Sequence, residues 1–472
     1  VDPGRLPASR TEGRLGAGAG PAGLLTSLSH WERLEGLREE DPAARFPAWM
    51  AGEDARMPRH RVDAGPRALT DLRRALRAGG PVLLAGCPFH DTAGRALTLE
   101  ALAEALPDSL QLDVWSSEAA KARFYRCDQG KNVYGTMYHV REPEAQELRM
   151  GMREVRGCIA TWTKRLVFAE TVLMGADGSV PKPGELPEFT PAGEKLRSLL
   201  AGLDWEWLQR FLKGGGFGAF WQLRLQCGMR NGLLPAQYES HDRLLFQVAG
   251  RRRVLLLSPS HALEGVYPFA VHHPYDRYSM VDFDAWDQGK WPKFEGVRGT
   301  TCVLSPGEML VVPRLWFAHV QELDSGGLTL EARVGPGSRL LPADAAPLTL
   351  SRRLEERVAA MEGVQEVRHW LGLIGRGDEM DWIDPSTTRG YKRVRFCTMV
   401  RDEVERSLGG EGALPEFFAK MCDGRLQPTP WLNANFREPL YLLDRPVLVE
   451  DTRTEQEKAF PEFFRTKLRR DG

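Results

Sequence analysis

The sequence predicts a mostly β protein with helical flanks, organised as a double-stranded β-helix of the jelly-roll kind with C-terminal helices and an extension. Between residues 217 and 334, apolar and polar side chains alternate with a period of two, and turns containing Gly or Pro separate the runs. On either side, apolar residues recur at three- and four-residue spacing, which is typical of amphipathic helices. Many short strands bounded by such turns favour an antiparallel double-sheet barrel.

The elements follow one another in a clear order. Before the barrel, helices are predicted at 68–78, 98–106 and 194–213, and a buried strand at 81–87. The third helix ends against three glycines, which predict a C-cap and turn. The strand signals are then FWQLRLQCGM, the hairpin RLLFQVAGRRRVLLLSPS, the pair TTCVLSPGEMLVVPRLWFAHVQEL, and GGLTLEARV. A helix pair follows at 350–375, and the last hundred residues are expected to form a folded extension with an irregular tail.

These signals divide the chain into four parts. They are an N-terminal arm at 1–55, a jelly-roll domain at 56–345 with its core at 217–334, a helical pair at 346–376, and a C-terminal extension at 377–472.

Composition narrows the class of protein. The 472 residues are 42% apolar and 27% charged, close to the globular average, so the chain can bury a core. Lys and Arg number 63 against 64 Asp and Glu, and this balance argues against a nucleic-acid binder driven by overall basicity. The sequence contains no run of about 18 apolar residues, which predicts no membrane span.

Cysteine usage and the N-terminal composition bear on the compartment. The seven cysteines are scattered and never spaced as CxxC, which predicts buried, reduced thiols in an intracellular protein. Residues 1–28 hold three arginines, several Ser and Thr, and only two acids. This composition suits either the remnant of an organellar presequence or a disordered leader, so mitochondrion, plastid and cytoplasm all stay open.

The region from 203 to 334 carries long and specific motifs in a fixed order. They are DWEWLQRFL, CGMRNGLLPAQYESHDRLLFQVAGRRRVLLLSP, YPFAVHHPYDRYSMVDFD, WPKFEGV, SPGEMLVVPRLWFAHV and GGLTLEARV. In order and spacing they resemble the JmjC family of iron- and 2-oxoglutarate-dependent oxygenases, which has the cupin fold. The resemblance is strongest to the asparaginyl hydroxylases of the hypoxia-inducible factor, and it covers about residues 56–375.

The resemblance implies where a metal would bind. In that family a His-x-Asp or His-x-Glu pair and a distant His hold the iron, leaving open positions for 2-oxoglutarate and oxygen. Here the paired slot reads Gln237-Tyr238-Glu239, and the distant slot is Ala318. Glu is acceptable at the acid position, but Gln lacks the imidazole nitrogen and Ala supplies no ligand. Since one ligand of three will not hold Fe(II), we predict that these metal positions are degenerate.

The positions that the family uses for 2-oxoglutarate differ as well. By resemblance, Leu234 replaces a Thr and Val167 replaces a Tyr. Arg243 and Arg333 stand where the family has inward Asn residues, and Arg252 replaces the Lys that grips a cosubstrate carboxylate. We therefore predict no catalytic residues and no cofactor, with iron and 2-oxoglutarate both lost.

A rearranged metal site is one alternative. Glu239, His241 and His319 would be a legitimate ligand set on paper. However, strand alternation turns His319 outward, because it follows the inward position 318 by one residue. His241 and His319 are therefore predicted to be surface or hydrogen-bonded histidines, while His272 and His273 shape the barrel rim.

The carboxylate of Glu239 would be costly without a cation beside it. Our hypothesis is that Arg333 or Arg243 enters the metal space and pairs with Glu239. Two alternatives are that these arginines and Arg252 point to solvent, or that they form a residual pocket for an anion.

The sequence thus predicts a catalytically inactive pseudo-oxygenase that serves as a structural or interaction subunit of a larger assembly. An organelle is one of the compartments that stay open for that assembly. Protein partners would dock on the N- and C-terminal arms. Residues 346–376 match helices through which the family forms homodimers, but their apolar face could equally pack on the chain's own barrel, and the extension could block such a dimer. An Fe(II)/2-oxoglutarate protein hydroxylase with non-standard ligands and a module binding an anionic metabolite are the alternatives.

Overall fold

The computed structural model describes most of the chain between Met57 and Leu426. The described residues are 57, 59–61, 66–90, 97–117, 122–123, 145–161, 166–175, 191–283, 286–338, 341, 343–376, 386–410 and 412–426. The arm predicted at 1–55 and residues 427–472 of the predicted extension lie outside them.

In the described part of the chain, five α-helices lie before residue 220 and cover one side of the barrel. They are α1 Pro66–Arg77, α2 Leu99–Ala105, α3 Met152–Thr161, α4 Pro191–Ala201 and α5 Trp205–Gly215. The single helix predicted over 194–213 is wrong, because Asp204 interrupts it and caps α5 by accepting a hydrogen bond from the Trp207 amide. The predicted glycine C-cap is confirmed: Gly216 ends α5 in the left-handed conformation, at φ 73°.

Two sheets form the barrel. The strands are β1 Arg59–Arg61, β2 Val82–Ala85, β3 Gln111–Ser116, β4 Ala122–Arg123, β5 Gln146–Gly151, β6 Leu166–Gly175, β7 Phe220–Gly228, β8 Gly232–Gln237, β9 Asp242–Ala249, β10 Arg252–Leu257, β11 Gly299–Leu304, β12 Glu308–Val312, β13 Phe317–Glu322 and β14 Gly327–Val334. The large sheet has the order β1-β2-β12-β9-β14-β7-β6-β3-β5, and the small sheet has the order β11-β10-β13-β8-β4. Strands β7 to β14 divide equally between the sheets and pair antiparallel, which confirms the predicted jelly roll.

Alternation along the strands separates three apolar layers. The outer face of the large sheet packs on the N-terminal helices through residues such as Leu225, Phe246 and Leu330. Between the sheets lie residues such as Leu245, Val254 and Val320. The outer face of the small sheet is covered by the segment 259–297 and by the start of the C-terminal helices. The central strands β8, β9, β10, β12, β13 and β14 are therefore buried on both faces, and this double burial holds the barrel rigidly.

After the barrel, the described residues form four α-helices: α6 Ala346–Glu362, α7 Val367–Arg376, α8 Thr388–Leu408 and α9 Ala413–Cys422. The predicted helix pair is thus confirmed as α6 and α7. Their apolar side chains, including Leu354 and Leu371, form one cluster with Val400 of α8 and Phe418 of α9. The face expected to meet a second copy or the barrel is covered mainly by the chain's own extension, since α8 and α9 supply the apolar surface that it needs.

The cysteines that the structure describes are all free and buried, as the sequence predicts. They are Cys87, Cys158, Cys227, Cys302, Cys397 and Cys422. Burial raises the pKa of the Cys87, Cys227 and Cys302 thiols to about 12. Across the described ranges, none of the helices is both long and apolar enough to cross a bilayer.

Candidate functional site

The three positions that the resemblance assigns to a metal lie together at one end of the barrel. Strand β8 ends at Gln237, and its register partner on β13 is Ala318. Glu239 lies just beyond β8, where its carbonyl accepts a hydrogen bond from the Leu315 amide at 2.8 Å. All three residues are buried. The loops carrying Glu239 and Leu315 therefore close over one another at the barrel mouth.

Arginines surround the Glu239 carboxylate. Arg277 Nη1 donates to Glu239 Oε2 at 2.8 Å, and Arg333 Nη2 lies 3.8 Å from Oε1. Burial alone would raise the pKa of Glu239, but the charges of Arg333, Arg243 and Arg277 outweigh it and lower that pKa below its usual range. The carboxylate is therefore ionised at neutral pH and is already neutralised by protein cations.

The hypothesis that Arg333 or Arg243 pairs with Glu239 is correct for Arg333 but omits the nearest arginine. Arg333 does form an ion pair with it, but the closest nitrogen belongs to Arg277, which the sequence analysis did not single out. Arg277 lies in the loop after β10 at a backbone φ of 75°, in the left-handed region. Its motif, HHPYDRYSM, carries the family resemblance but does not indicate a partner for residue 277. No spacing rule links residue 277 to residue 239.

From Arg333 a chain of polar contacts runs through the barrel interior. Arg333 Nε donates to Glu331, whose other oxygen accepts from Gln226 Nε2 at 2.5 Å. Gln226 Oε1 in turn accepts from Arg252 Nη1 at 2.7 Å. Arg252 Nε lies 2.7 Å from Glu322 Oε1, so the chain ends in a buried ion pair. The expectation that these arginines point to solvent is wrong for Arg252 and Arg333, because carboxylates inside the barrel hold them.

The remaining cosubstrate positions line or border the same interior. Arg243 is buried on β9 directly opposite Arg333 on β14. Leu234 belongs to the apolar layer between the sheets. Val167 falls within β6, but its side chain lies outside the described part of the structure.

Little space is left between the sheets. The cavity bordered by Gln226, Arg243, Arg252, Glu322 and Glu331 has a volume of about 10 Å³. That volume holds roughly one water molecule. It is far too small for a dicarboxylate, and Arg252 beside it is already paired with Glu322.

The four histidines considered as alternatives do not assemble a ligand set. His241 and His319 are both buried, which excludes the surface position among the two alternatives predicted for them. His241 packs against Trp221, and burial together with Arg333 lowers its pKa to about 4. His319 pairs with Leu255 of the outer layer and contacts Phe283, so alternation does turn it away from the interior. His273 is buried in the rim loop against Phe269, and its neighbour His272 lies in the same loop.

The C-terminal helices hold this rim loop by two arginines, the half-buried Arg352 and the fully buried Arg425. Arg352 of α6 grips the Asp276 carboxylate with both Nη atoms at 2.6 and 3.0 Å, and also donates to the Tyr238 hydroxyl. Arg425, after α9, donates to Glu355 at 2.8 Å and to the Pro268 carbonyl at 2.8 Å. Asp276 and Tyr238 directly precede Arg277 and Glu239. The C-terminal helices therefore fix both sides of the Arg277–Glu239 pair.

Chemically, this site holds charges in place. Among the residues that the structure describes, no three His, Cys, Asp or Glu side chains come close enough together to bind a metal ion. At the metal positions, Gln237 offers an amide, Ala318 offers no donor, and Glu239 is engaged by two guanidinium groups. These residues do not fit the Fe(II) and 2-oxoglutarate that the resemblance implies.

The fold and the site define a cupin-like protein. The model of the family described as "Cupin-like domain" matches residues 69–332, more than half of the chain, so the chain belongs to that family. Among curated proteins it is similar to the tRNA wybutosine-synthesizing protein 5 of Danio rerio, at 29% identity over 36% of this chain and 49% of the relative. It is also similar to the lysine-specific demethylase 8 of Xenopus tropicalis, at 32% identity over 19% of this chain and 20% of the relative. The HSPB1-associated protein 1 of Rattus norvegicus is 34% identical over 21% of this chain and 21% of the relative. The matched part spans half or less of each of these relatives. A "JmjC domain-containing protein D" of Dictyostelium discoideum, at 28% over 22% of each chain, belongs to the same group of relatives.

Proposed function

We propose that this chain is a catalytically inactive JmjC-type pseudo-oxygenase, related to asparaginyl hydroxylases, that acts as an interaction subunit of an intracellular protein assembly. The observation that carries the proposal is the interior chain from Glu239 through Arg333, Glu331, Gln226 and Arg252 to Glu322. It fills the space that a metal and a dicarboxylate would need.

The cost of breaking this series of polar contacts favours a barrel interior that stays closed to ligands. A buried charge that loses its partner costs about 3–5 kcal/mol, so opening the interior for a ligand would require each arginine to exchange its carboxylate for an equally good one. A dicarboxylate could replace one such partner at most, and it would meet Glu322 and Glu331 at close range. This arrangement disfavours the alternative of an anionic-metabolite module in the barrel.

The interaction role is supported by the surroundings of the barrel. The C-terminal helices pack on the barrel, and the predicted arm at 1–55 and residues 427–472 of the predicted extension lie on either side of the described part. Together they offer a fixed scaffold with additional segments for protein partners, in the cytoplasm or an organelle. The curated relatives include enzymes by name, so the comparisons leave the hydroxylase with non-standard ligands as the competing function.

Metal and cosubstrate binding test this proposal directly. The purified full chain is incubated anaerobically with Fe(II) or Mn(II), desalted, and analysed by plasma mass spectrometry, and its melting temperature is measured with millimolar 2-oxoglutarate. We expect metal far below one equivalent and no thermal stabilisation. One bound equivalent together with stabilisation by 2-oxoglutarate would establish the hydroxylase instead.

A further inference from the structure

One face of α8 is turned away from the rest of the protein. Cys397, Val400 and Val404 bury the inner face against the other C-terminal helices. Tyr391 and Met399 are 57% and 53% exposed, and they are two of the four large apolar side chains exposed in the described residues. Together with Lys392 and Arg395, which are also exposed, they lie within one side of the helix, which we call the α8 outer face.

The charges on this face are not used by the fold. Between residues 388 and 401 the sequence has five basic residues and no acid. Arg393 pairs with Glu362, and Arg401 donates to a backbone carbonyl of α7, so these two hold α8 in place. No ion pair or hydrogen bond involves Lys392 or Arg395 within the described ranges. Cations complement the helix dipole in the last turn of a helix, and Lys392 and Arg395 lie in the N-terminal half of α8, so the dipole does not hold them there.

We propose that the α8 outer face docks residues 31–41 of this same chain. This segment, WERLEGLREED, has five acids against two arginines, and its apolar Trp31, Leu34 and Leu37 recur every three residues. It therefore offers the charge and the apolar contacts that the α8 outer face leaves unmatched. A nucleic acid would match the cations but would leave Met399 without an apolar contact.

The described start of the chain lies near the C-terminal helices. The Met57 amide donates to Thr301 at 3.1 Å on β11, an edge of the small sheet. A few residues before β11, Lys293 Nζ binds Asp423, at the end of α9, at 2.9 Å. Residues 42–56 can extend to about 50 Å. A domain of this size has a radius of gyration of roughly 20 Å and hence a diameter of about 50 Å, so an extended segment of this length is sufficient to reach α8 within one chain.

Zero-length carbodiimide cross-linking of the full chain, followed by mass spectrometry, tests this contact. We expect Lys392 to link to one of the acids between residues 32 and 41, and Lys213, exposed on α5, to serve as a control that does not. Arg395→Glu retains the reactive lysine and should lower the yield about fivefold, as should 0.5 M salt. Adding Glu39→Arg and Glu40→Arg to Arg395→Glu should restore it, because the remaining acids can still react.

Three results would overturn the proposal. One is a Lys392 yield no higher than that of Lys213. Another is a link that forms only between light and heavy copies in an isotope-mixed sample, which would mean exchange between two chains. The third is binding of a tRNA mixture that Lys392→Glu and Arg395→Glu abolish, without any arm cross-link, which would assign the face to nucleic acid. None of these results depends on whether the barrel binds metal.

Discussion

Gln237 and Ala318 face each other across β8 and β13 as direct register partners. Side chains at such positions have Cβ atoms roughly 5 Å apart, close enough for two imidazoles to share one metal ion. Glu239 follows two residues later. These are the three positions that the resemblance assigns to a metal, so placing imidazoles at the first two tests that assignment.

Gln237→His with Ala318→His should create a metal site. We expect the double variant to bind Co(II), measured by its visible absorption, and each single variant to bind about tenfold less tightly or worse. Adding Arg277→Met should tighten binding further, because it frees one oxygen of Glu239. A double variant with no more affinity than the native chain would show that the two positions do not converge.

Glu239→Gln should destabilise the protein by about 2 kcal/mol, because it removes the carboxylate that Arg277 and Arg333 share and leaves Glu331 as the remaining acidic partner of Arg333. Urea denaturation measures this difference. Glu206→Gln, on the exposed Glu206–Arg210 pair of α5, is the matched control and should change stability by less than about 0.5 kcal/mol. Equal effects of the two substitutions would contradict the role assigned to Glu239.

The same carboxylate makes stability depend on pH. The folded-state pKa of Glu239 lies below its ordinary 4.5, so its contribution is fully present above about pH 4.5 and is lost as the pH falls through the lower, folded value. Melting temperatures of the native chain and of Glu239→Gln should therefore converge as the pH drops below 4.5. Curves that stay parallel through that range would mean that Glu239 does not titrate this way.

Arg425 and Glu355 should behave as one buried unit. Both side chains are 1% exposed, and removal of either one leaves the other with a buried charge that has lost its ion-pair partner. Arg425→Met or Glu355→Gln should each cost about 3–5 kcal/mol, while Arg425→Met with Glu355→Leu should cost clearly less than the sum. Additive losses in that double-mutant cycle would argue that the two side chains do not interact.

Arg352→Met should loosen the rim loop rather than the whole barrel. It removes the two-pronged contact with Asp276 and the hydrogen bond to Tyr238, so amides in 268–279 should exchange with solvent faster. Its sequence neighbour Arg353, which pairs with Glu403 at the surface, is the control: Arg353→Met should leave that loop protected. Hydrogen exchange measured by mass spectrometry distinguishes the effect of Arg352→Met from that of Arg353→Met.

The fold could be predicted because its signals are local. Alternation from β7 to β14 and the turn residues between the strands indicate a double-sheet barrel without reference to any distant contact. The prediction failed at Asp204, where a single capping residue divides one helical pattern into two helices. Periodicity does not register such a cap, since α4 and α5 present apolar residues at the same spacing.

The site could be predicted only in part, because it depends on contacts between distant loops. Arg277 reaches Glu239 through a left-handed backbone conformation that Asp276 and Arg352 support, and no local pattern encodes that direction. The burial of His319 was missed for a related reason. Alternation gives its orientation correctly, but Phe283, in a separate segment, is among the residues that cover it.

The buried thiols can report local unfolding, because each becomes reactive when the structure around it opens. Because their pKa values are raised to about 12 and all three are buried, Cys87, Cys227 and Cys302 should react with an alkylating reagent only slowly until their surroundings come apart. Cys87 and Cys227 lie between the large sheet and the N-terminal helices, Cys302 lies between the sheets, and Cys397 lies within the C-terminal helices. The order in which these sulfurs become modified during mild heating would therefore reveal which layer separates first.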